Sequence, residues 1–369
     1  MKRYPIILLM IFIVASCSAL SSSESIEETS NNSEDLPIAE ITTTTEASPT
    51  QTIPEYQFDI DKMSPLTGKY ISQEEWLLRP RRVISFKIDN NINARPQSGL
   101  EKADLIFEVL VEGGMTRFLA VFLDSTSDYL GPVRSARPTD PTLIKPFNST
   151  LVVSGATEGL IPSIRELGVN VLEEQSSPSM FRIASRNAPH NLYADTELVR
   201  EVIDRKGFIF LQPGPNPIFE FGYNQNNWSI GQDKITIKYS DETTVIWKLD
   251  GTIYNRFIID SYSKNDDPEA HNWISQDGFT SEILTTETII VIQGVQYRDE
   301  ATTLPSILTV GLGPVYIFHN GQMVEGTWRR SDIDDPFELY DTYGEPIIIP
   351  PGKQWIHVLP LEGSITSSN

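Results

Sequence analysis

Apolar and polar positions divide the chain into three regimes. After Lys2 and Arg3, Ile6 to Val14 is an unbroken apolar run, the length of a signal-peptide core and too short to span a bilayer. From Ser18 to Ile60 apolar residues are sparse among Ser, Thr, Glu and Asn, a composition that predicts a disordered tether. From Met63 onward apolar residues gather in strand-length runs. Arg82–Asp89, Ala103–Val111 and Arg117–Leu123 predict three largely buried strands, with Gly113-Gly114 closing the turn between the last two. Leu151–Ser154 predicts another. Helices are expected at Asp140–Phe147, with Pro141 in the first turn, at Ile161–Gly168, and at Thr196–Gly207 with Thr196 as N-cap.

Pro213–Pro217 breaks the pattern, and residues 228–360 then alternate as strands do. Two hairpins are expected: Thr244–Ile258 around Asp250-Gly251, and Val315–Gly326 around Asn320-Gly321. Glu287–Gln293 and Gln354–Leu359 predict further strands, the latter as the last. The class is α+β. The expected organisation is a signal peptide over 1–16, a tether over 17–60, a mixed domain over 61–215 and a strand-rich domain over 225–362.

Cys17 is the only cysteine in 369 residues and closes the run Val14-Ala15-Ser16-Cys17. Small residues before a cysteine at the end of an export signal point to a lipid-modified N-terminus. Its acyl chains would hold the protein on the outer face of a membrane. Internal disulfides are excluded. The formal charge is −21, which argues against nucleic acid or an anionic membrane surface as a nonspecific partner. No nucleotide-binding, zinc or calcium motif is present, so no cofactor or metal is expected.

The polar residues of the first half cluster at strand ends and in loops bounded by Gly and Pro. They are Asp89 and Asn90, Arg95, Glu108 and Glu112, Arg117, Arg134 and Arg137, and His190, Asn191 and Tyr193. Guanidinium forks suit carboxylate and phosphate, so these residues are expected to converge on one anion-binding pocket. The competing reading has Arg117, Arg134 and Arg137 pairing with Asp89, Glu108 and Glu112 to fix the loops. His190 is a candidate general base.

Arg95-Pro-Gln-Ser-Gly-Leu100, Val111-Glu-Gly-Gly-Met-Thr-Arg-Phe-Leu-Ala120, Gly131-Pro-Val-Arg-Ser-Ala-Arg-Pro138 and Pro189-His-Asn-Leu-Tyr193 occur in this order. Together they resemble the YerB-like lipoprotein family. Gly326–Arg330 and Gly352–Ile356 are similar to that family's C-terminal region, and the resemblance covers roughly residues 63–360. It implies a bacterial surface lipoprotein with two β layers and one helical layer. It supplies no activity and no catalytic residues. The reading that follows is a lipid-anchored module binding an anionic envelope polymer or an envelope protein. The alternatives are a hydrolase or transferase using Glu108, Glu112 and His190, and a scaffold for envelope synthesis.

Overall fold

The apolar runs of the two halves pair with each other as well as among themselves. The computed structural model describes residues 57, 59, 62–72, 82–175, 178–208, 216–223, 227–261, 263 and 266–369; Cys17, the signal and nearly all of the tether lie outside them. The described residues fall in one compact unit, Pro54–Asn369.

The first half contributes β1 (Ile84–Asp89), β2 (Leu105–Leu110), β3 (Thr116–Phe122), β4 (Thr150–Val152), β5 (Val171–Leu172), β6 (Met180–Arg182) and β7 (Leu192–Ala194). Its helices are α1 (Asp140–Ile144), α2 (Leu160–Glu166) and α3 (Thr196–Arg205). The second half adds β8 (Ser229–Ile230), β9 (Lys234–Lys238), β10 (Thr243–Asp250), β11 (Ile253–Asp260), β12 (Glu269–Ala270), β13 (Asn272–Ile274), β14 (Ser281–Ile283) and β15 (Thr285–Thr286). It continues with β16 (Thr288–Gly294), β17 (Gln296–Arg298), β18 (Pro305–Ile307), β19 (Gly311–His319), β20 (Gln322–Arg330), β21 (Glu338–Asp341), β22 (Gln354–Pro360) and β23 (Ser364–Ser368).

Eleven strands form one sheet in the order β21-β20-β19-β16-β22-β2-β3-β1-β4-β5, with β8 on β20. β22 joins the halves, running parallel to β16 on one side and β2 on the other. It is buried along its whole length. A six-stranded sheet, β12-β11-β10-β9-β23 with β15 on β11, forms the second β layer.

Strand alternation decides what faces what. Ile106 and Leu110 of β2 join Phe118, Phe122, Trp355 and the small sheet's Ile235, Ile237 and Trp247 in one core. Phe107 and Val109 join Leu119, Val121 and the α1 and α2 residues Leu143, Ile144, Leu160 and Ile164 in the other. The layers are therefore helices, large sheet, small sheet. α3 lies on the small-sheet side, because its buried Val199 and Ile203 belong to the first core.

Three details differ from the sequence reading. The cap of α3 is Asp195, whose Oδ1 accepts from Glu197 N and Leu198 N. Thr196 Oγ1 instead accepts from Ser127 N. In the first hairpin Asp250 pairs with Ile253, so Gly251 (φ +63°) and Thr252 make the turn. The second turn is Asn320-Gly321 as expected, with both residues at positive φ. Finally, β23 follows β22, which is therefore not the last strand: the chain returns to pair with β9.

Candidate functional site

The residues expected to share one pocket lie on two faces of the large sheet. In β1, Lys87 and Asp89 point to the helix side; Asp89 sits directly across from Arg117 of β3. In β2, Glu108 points the other way, next to Phe118 and His357.

The outer group gathers where β1 and β2 end and β3 begins. Asp89 Oδ2 lies 3.0 Å from Arg134 Nε and 2.7 Å from His190 Nδ1, while Asp89 Oδ1 accepts from Asn91 N. Glu112 is carried on the tight turn Glu112–Gly114. Gly114 there has φ +71°, and a Cβ would come within 2.9 Å of Ser240 and Glu242, so glycine alone fits. The Glu112 carboxylate takes both Nε and Nη2 of Arg137 in a fork, with Arg117 Nη2 at 3.6 Å. Arg117 and Arg137 also donate to Ser135 O, and Arg137 to Ala136 O. Behind them the buried pair Lys87–Asp140 closes at 2.6 Å, and Asp140 Oδ2 accepts Arg137 N.

Burial alone would push Glu112 up, but the hydrogen bond and charge of Arg137, with Arg117, hold it down to about 2. Burial, opposed by Asp140, draws Lys87 down to about 8. Burial and the neighbouring Arg137 draw Arg117 down to about 10. In formal charge, the cations Lys87, Arg117, Arg134 and Arg137 meet the carboxylates Asp89, Glu112 and Asp140, leaving one positive charge in excess. The cluster is partly open to solvent. Arg134 and His190 keep 18% and 17% of their side-chain surface and Glu112 41%, while Arg117 and Arg137 are nearly enclosed.

The inner group is sealed. Glu108 Oε1 accepts from Arg256 Nη2 of β11 and from Thr116 Oγ1, both at 2.8 Å. Its Oε2 accepts from Trp355 Nε1 at 3.0 Å. Asn90 donates to Thr116 Oγ1, Gln97 donates to Asn90 Oδ1, and His271 meets Gln97 Oε1. His357 Nε2 accepts from Trp247 Nε1. Tyr239 donates to Glu108 O, so His357 Nδ1 carries the proton and donates to Tyr239 Oη at 2.9 Å. Burial and the Arg256 charge hold His357 well below its ordinary value, consistent with this neutral tautomer. The carboxylate on the large sheet and the guanidinium on the small one thus clamp the two β layers.

The single-pocket expectation is corrected by this division. Asp89, Glu112, Arg117, Arg134, Arg137 and His190 meet in the outer cluster. Asn90 and Glu108 belong to the inner one, because their positions in β1–β3 have the opposite parity. Arg95 turns to Asp260 on β11 and to Asn90 O. Asn191 binds Arg182 Nη1. Tyr193 is enclosed, stacked at 4.5 Å on Tyr129, and burial pushes its phenol up to about 12. The pairing alternative is accurate for Arg134, with Asp89, and for Arg137 and Arg117, both with Glu112. Lys87, Asp140 and Arg256 were not among the expected site residues. Lys87 did leave a signal, as the one charge inside the apolar run Ile84–Ile88. Among the described residues no group of three or more His, Cys, Asp or Glu could hold a metal ion.

The four N-terminal segments supply Arg117, Arg134, Arg137, Glu112 and His190 to the outer cluster and Gln97 and Thr116 to the inner one. The chain is 25% identical over 299 residues to the putative lipoprotein YerB of Bacillus subtilis (strain 168), covering 80% of this chain and 86% of that protein. The crystal structure of YerB from Bacillus subtilis superposes with a TM-score of 0.68 at 24% identity, over 83% of this chain and 99% of that one. The family described as protein of unknown function (DUF3048) matches through its N-terminal domain at residues 66–209 and its C-terminal domain at residues 235–356. With both of its domains present in order, the chain belongs to the DUF3048 family.

Proposed function

We propose that this protein is a lipid-anchored lipoprotein of the cell envelope that binds an anionic ligand at the open corner formed by Asp89, Arg134 and His190. The observation that carries this reading is the excess cation in a cluster partly open to solvent, in a chain of strongly negative charge. A carboxylate or phosphate docking beside Arg134 would neutralise that excess and receive charge-assisted hydrogen bonds. The ligand is a phosphate- or carboxylate-bearing envelope polymer, or an acidic patch on an envelope protein. The anchor rests on Cys17 and its flanking residues, with support from a relative named as a putative lipoprotein. No helix among the described residues is long and apolar enough to cross a membrane.

The test is titration of the full chain with inorganic phosphate and with acetyl-D-alanyl-D-alanine. Arg134→Ala should weaken the better probe by about 1.5–3 kcal/mol. Arg134→Lys should also weaken it, since the fork is lost while the charge remains. Equal affinity in the parent and both variants would sink the reading. For the anchor, Cys17→Ser should release the protein from membranes.

One contact favours the enzyme alternative: a histidine held 2.7 Å from a carboxylate is how a general base is oriented. Its two glutamates are poorly placed to assist. Glu108 is sealed from substrate, and Glu112, held near 2, is a poor proton donor at neutral pH.

A further inference from the structure

The segment Arg95–Leu100 contributes only its arginine and Gln97 to the networks above. At Gln97 it meets the β13–β14 hairpin: Gln97 bridges to Trp273, and Ile274 N donates to Gln97 O at 2.8 Å. Between them opens a cleft of about 600 Å³ with Ser98 and Gly99 in its lining, a size typical of small-ligand sites. Lys102 and Asp128 contribute from the first half of the chain, and Trp273, Gln276 and Asp277 from the hairpin.

The chemistry of this cleft is unlike that of the charged corner. Glu101, Asp128 and Asp277 outnumber Lys102, so an anion is disfavoured. Glu101 Oε2 is enclosed and accepts no hydrogen bond, and burial pushes that carboxyl up. Trp273 is half-buried, packed against the interlayer core, and adds an aromatic surface to the lining. The hairpin turn also carries Phe279, 90% exposed, next to the lining residue Thr280. Carboxylate acceptors, an amide and the rings of Tyr129 and Trp273 in one lining match a ligand with many hydroxyl donors and flat C–H faces.

We infer that this cleft binds a neutral oligosaccharide. The sugar ring stacks on Trp273, and its hydroxyls donate to Glu101, Asp128 and Asp277. Gln276 serves either a hydroxyl or a carbonyl of the sugar.

Chitotetraose and maltotetraose are the probes, titrated calorimetrically into the full chain, with trilysine as the contrasting ligand. One of the two sugars should bind. Trp273→Ala should weaken it by about tenfold or more, and Trp273→Tyr should restore part of the loss. Asp128→Ala, at a side chain 72% exposed and so without consequence for folding, should weaken binding by about threefold. Phosphate affinity at the Arg134 corner should not change in any of these variants. Absence of binding by both sugars, equal sugar affinity in Asp128→Ala and Trp273→Ala and the parent, or binding of trilysine in place of the sugars would overturn the inference.

Discussion

Glu108 and Asp89 lie on two strands of one sheet, β2 and β1, with β3 between them; each sits beside an arginine, yet their surroundings are opposite. Glu108 is fully enclosed, and its two oxygens accept from Arg256, Thr116 and Trp355. Asp89 belongs to a cluster with one cation too many, partly open to solvent. The first arrangement is charge-balanced and serves cohesion. The second is incomplete in charge, and incompleteness beside solvent is what a ligand can use. Arginine beside carboxylate is therefore no guide to role until burial and charge balance are known.

The sharpest way to break this comparison is Arg256→Met. Removing the guanidinium strands a buried carboxylate, and stability should fall by about 3–5 kcal/mol in denaturant melts. A loss below about 1 kcal/mol would mean the inner pair is not the clamp between layers. Arg137→Ala should rank next. It removes the fork to a half-exposed Glu112 and the bonds to two carbonyls, so about 1.5–3 kcal/mol is expected. If it instead matched Arg256→Met, the outer cluster would be as structural as the inner one.

A smaller effect separates the two by pH. The folded value of Glu112 is near 2, below that of an unfolded glutamate, so the folded state favours its ionised form. Its contribution is present above about pH 4.5 and is lost as pH falls toward 2. Because Glu112 is well exposed, screening limits it to under about 1 kcal/mol. The acid melt of the parent minus that of Glu112→Gln reads it directly; a difference that does not vary between pH 5 and 2.5 would remove Glu112 from the argument. The smallest stability effect belongs to Arg134→Ala. Asp89 keeps His190 and Asn91 N, and Arg134 is partly solvated, so a loss under about 1 kcal/mol is expected. A larger one would move Arg134 to the structural side.

Much of this was legible in the sequence. Runs such as Ile84–Ile88 and Leu119–Leu123 named buried strands, and the Gly/Pro-bounded arginine loops named the outer cluster. Pairing between Asp89 and the segment around His190 was not, because it closes a loop of a hundred residues. The inner network was invisible for a stronger reason. Glu108 finds Arg256, Trp355 and His357 only after β22 enters between β2 and β16, and no local pattern announces a parallel pairing across such a separation. Parity was readable in principle: Asp89 and Asn90 are adjacent, so on a strand they must face opposite ways. Grouping them in one pocket ignored it.

The position of β22 has a further consequence, for how the fold is reached. The middle strand of the large sheet is supplied after residues 84–353 have already been delivered. Until it arrives, β2 and β16 are open edges with unpaired backbone groups, in strands apolar enough to pair with any other chain. Closure of the sheet is thus a late, long-range event of the kind that slows folding and lengthens exposure to aggregation. A chain exported unfolded would cross that interval outside the cytoplasm. There, the nine acidic residues between Ser18 and Ile60 would give neighbouring copies mutual repulsion during the interval when they are most able to misassemble.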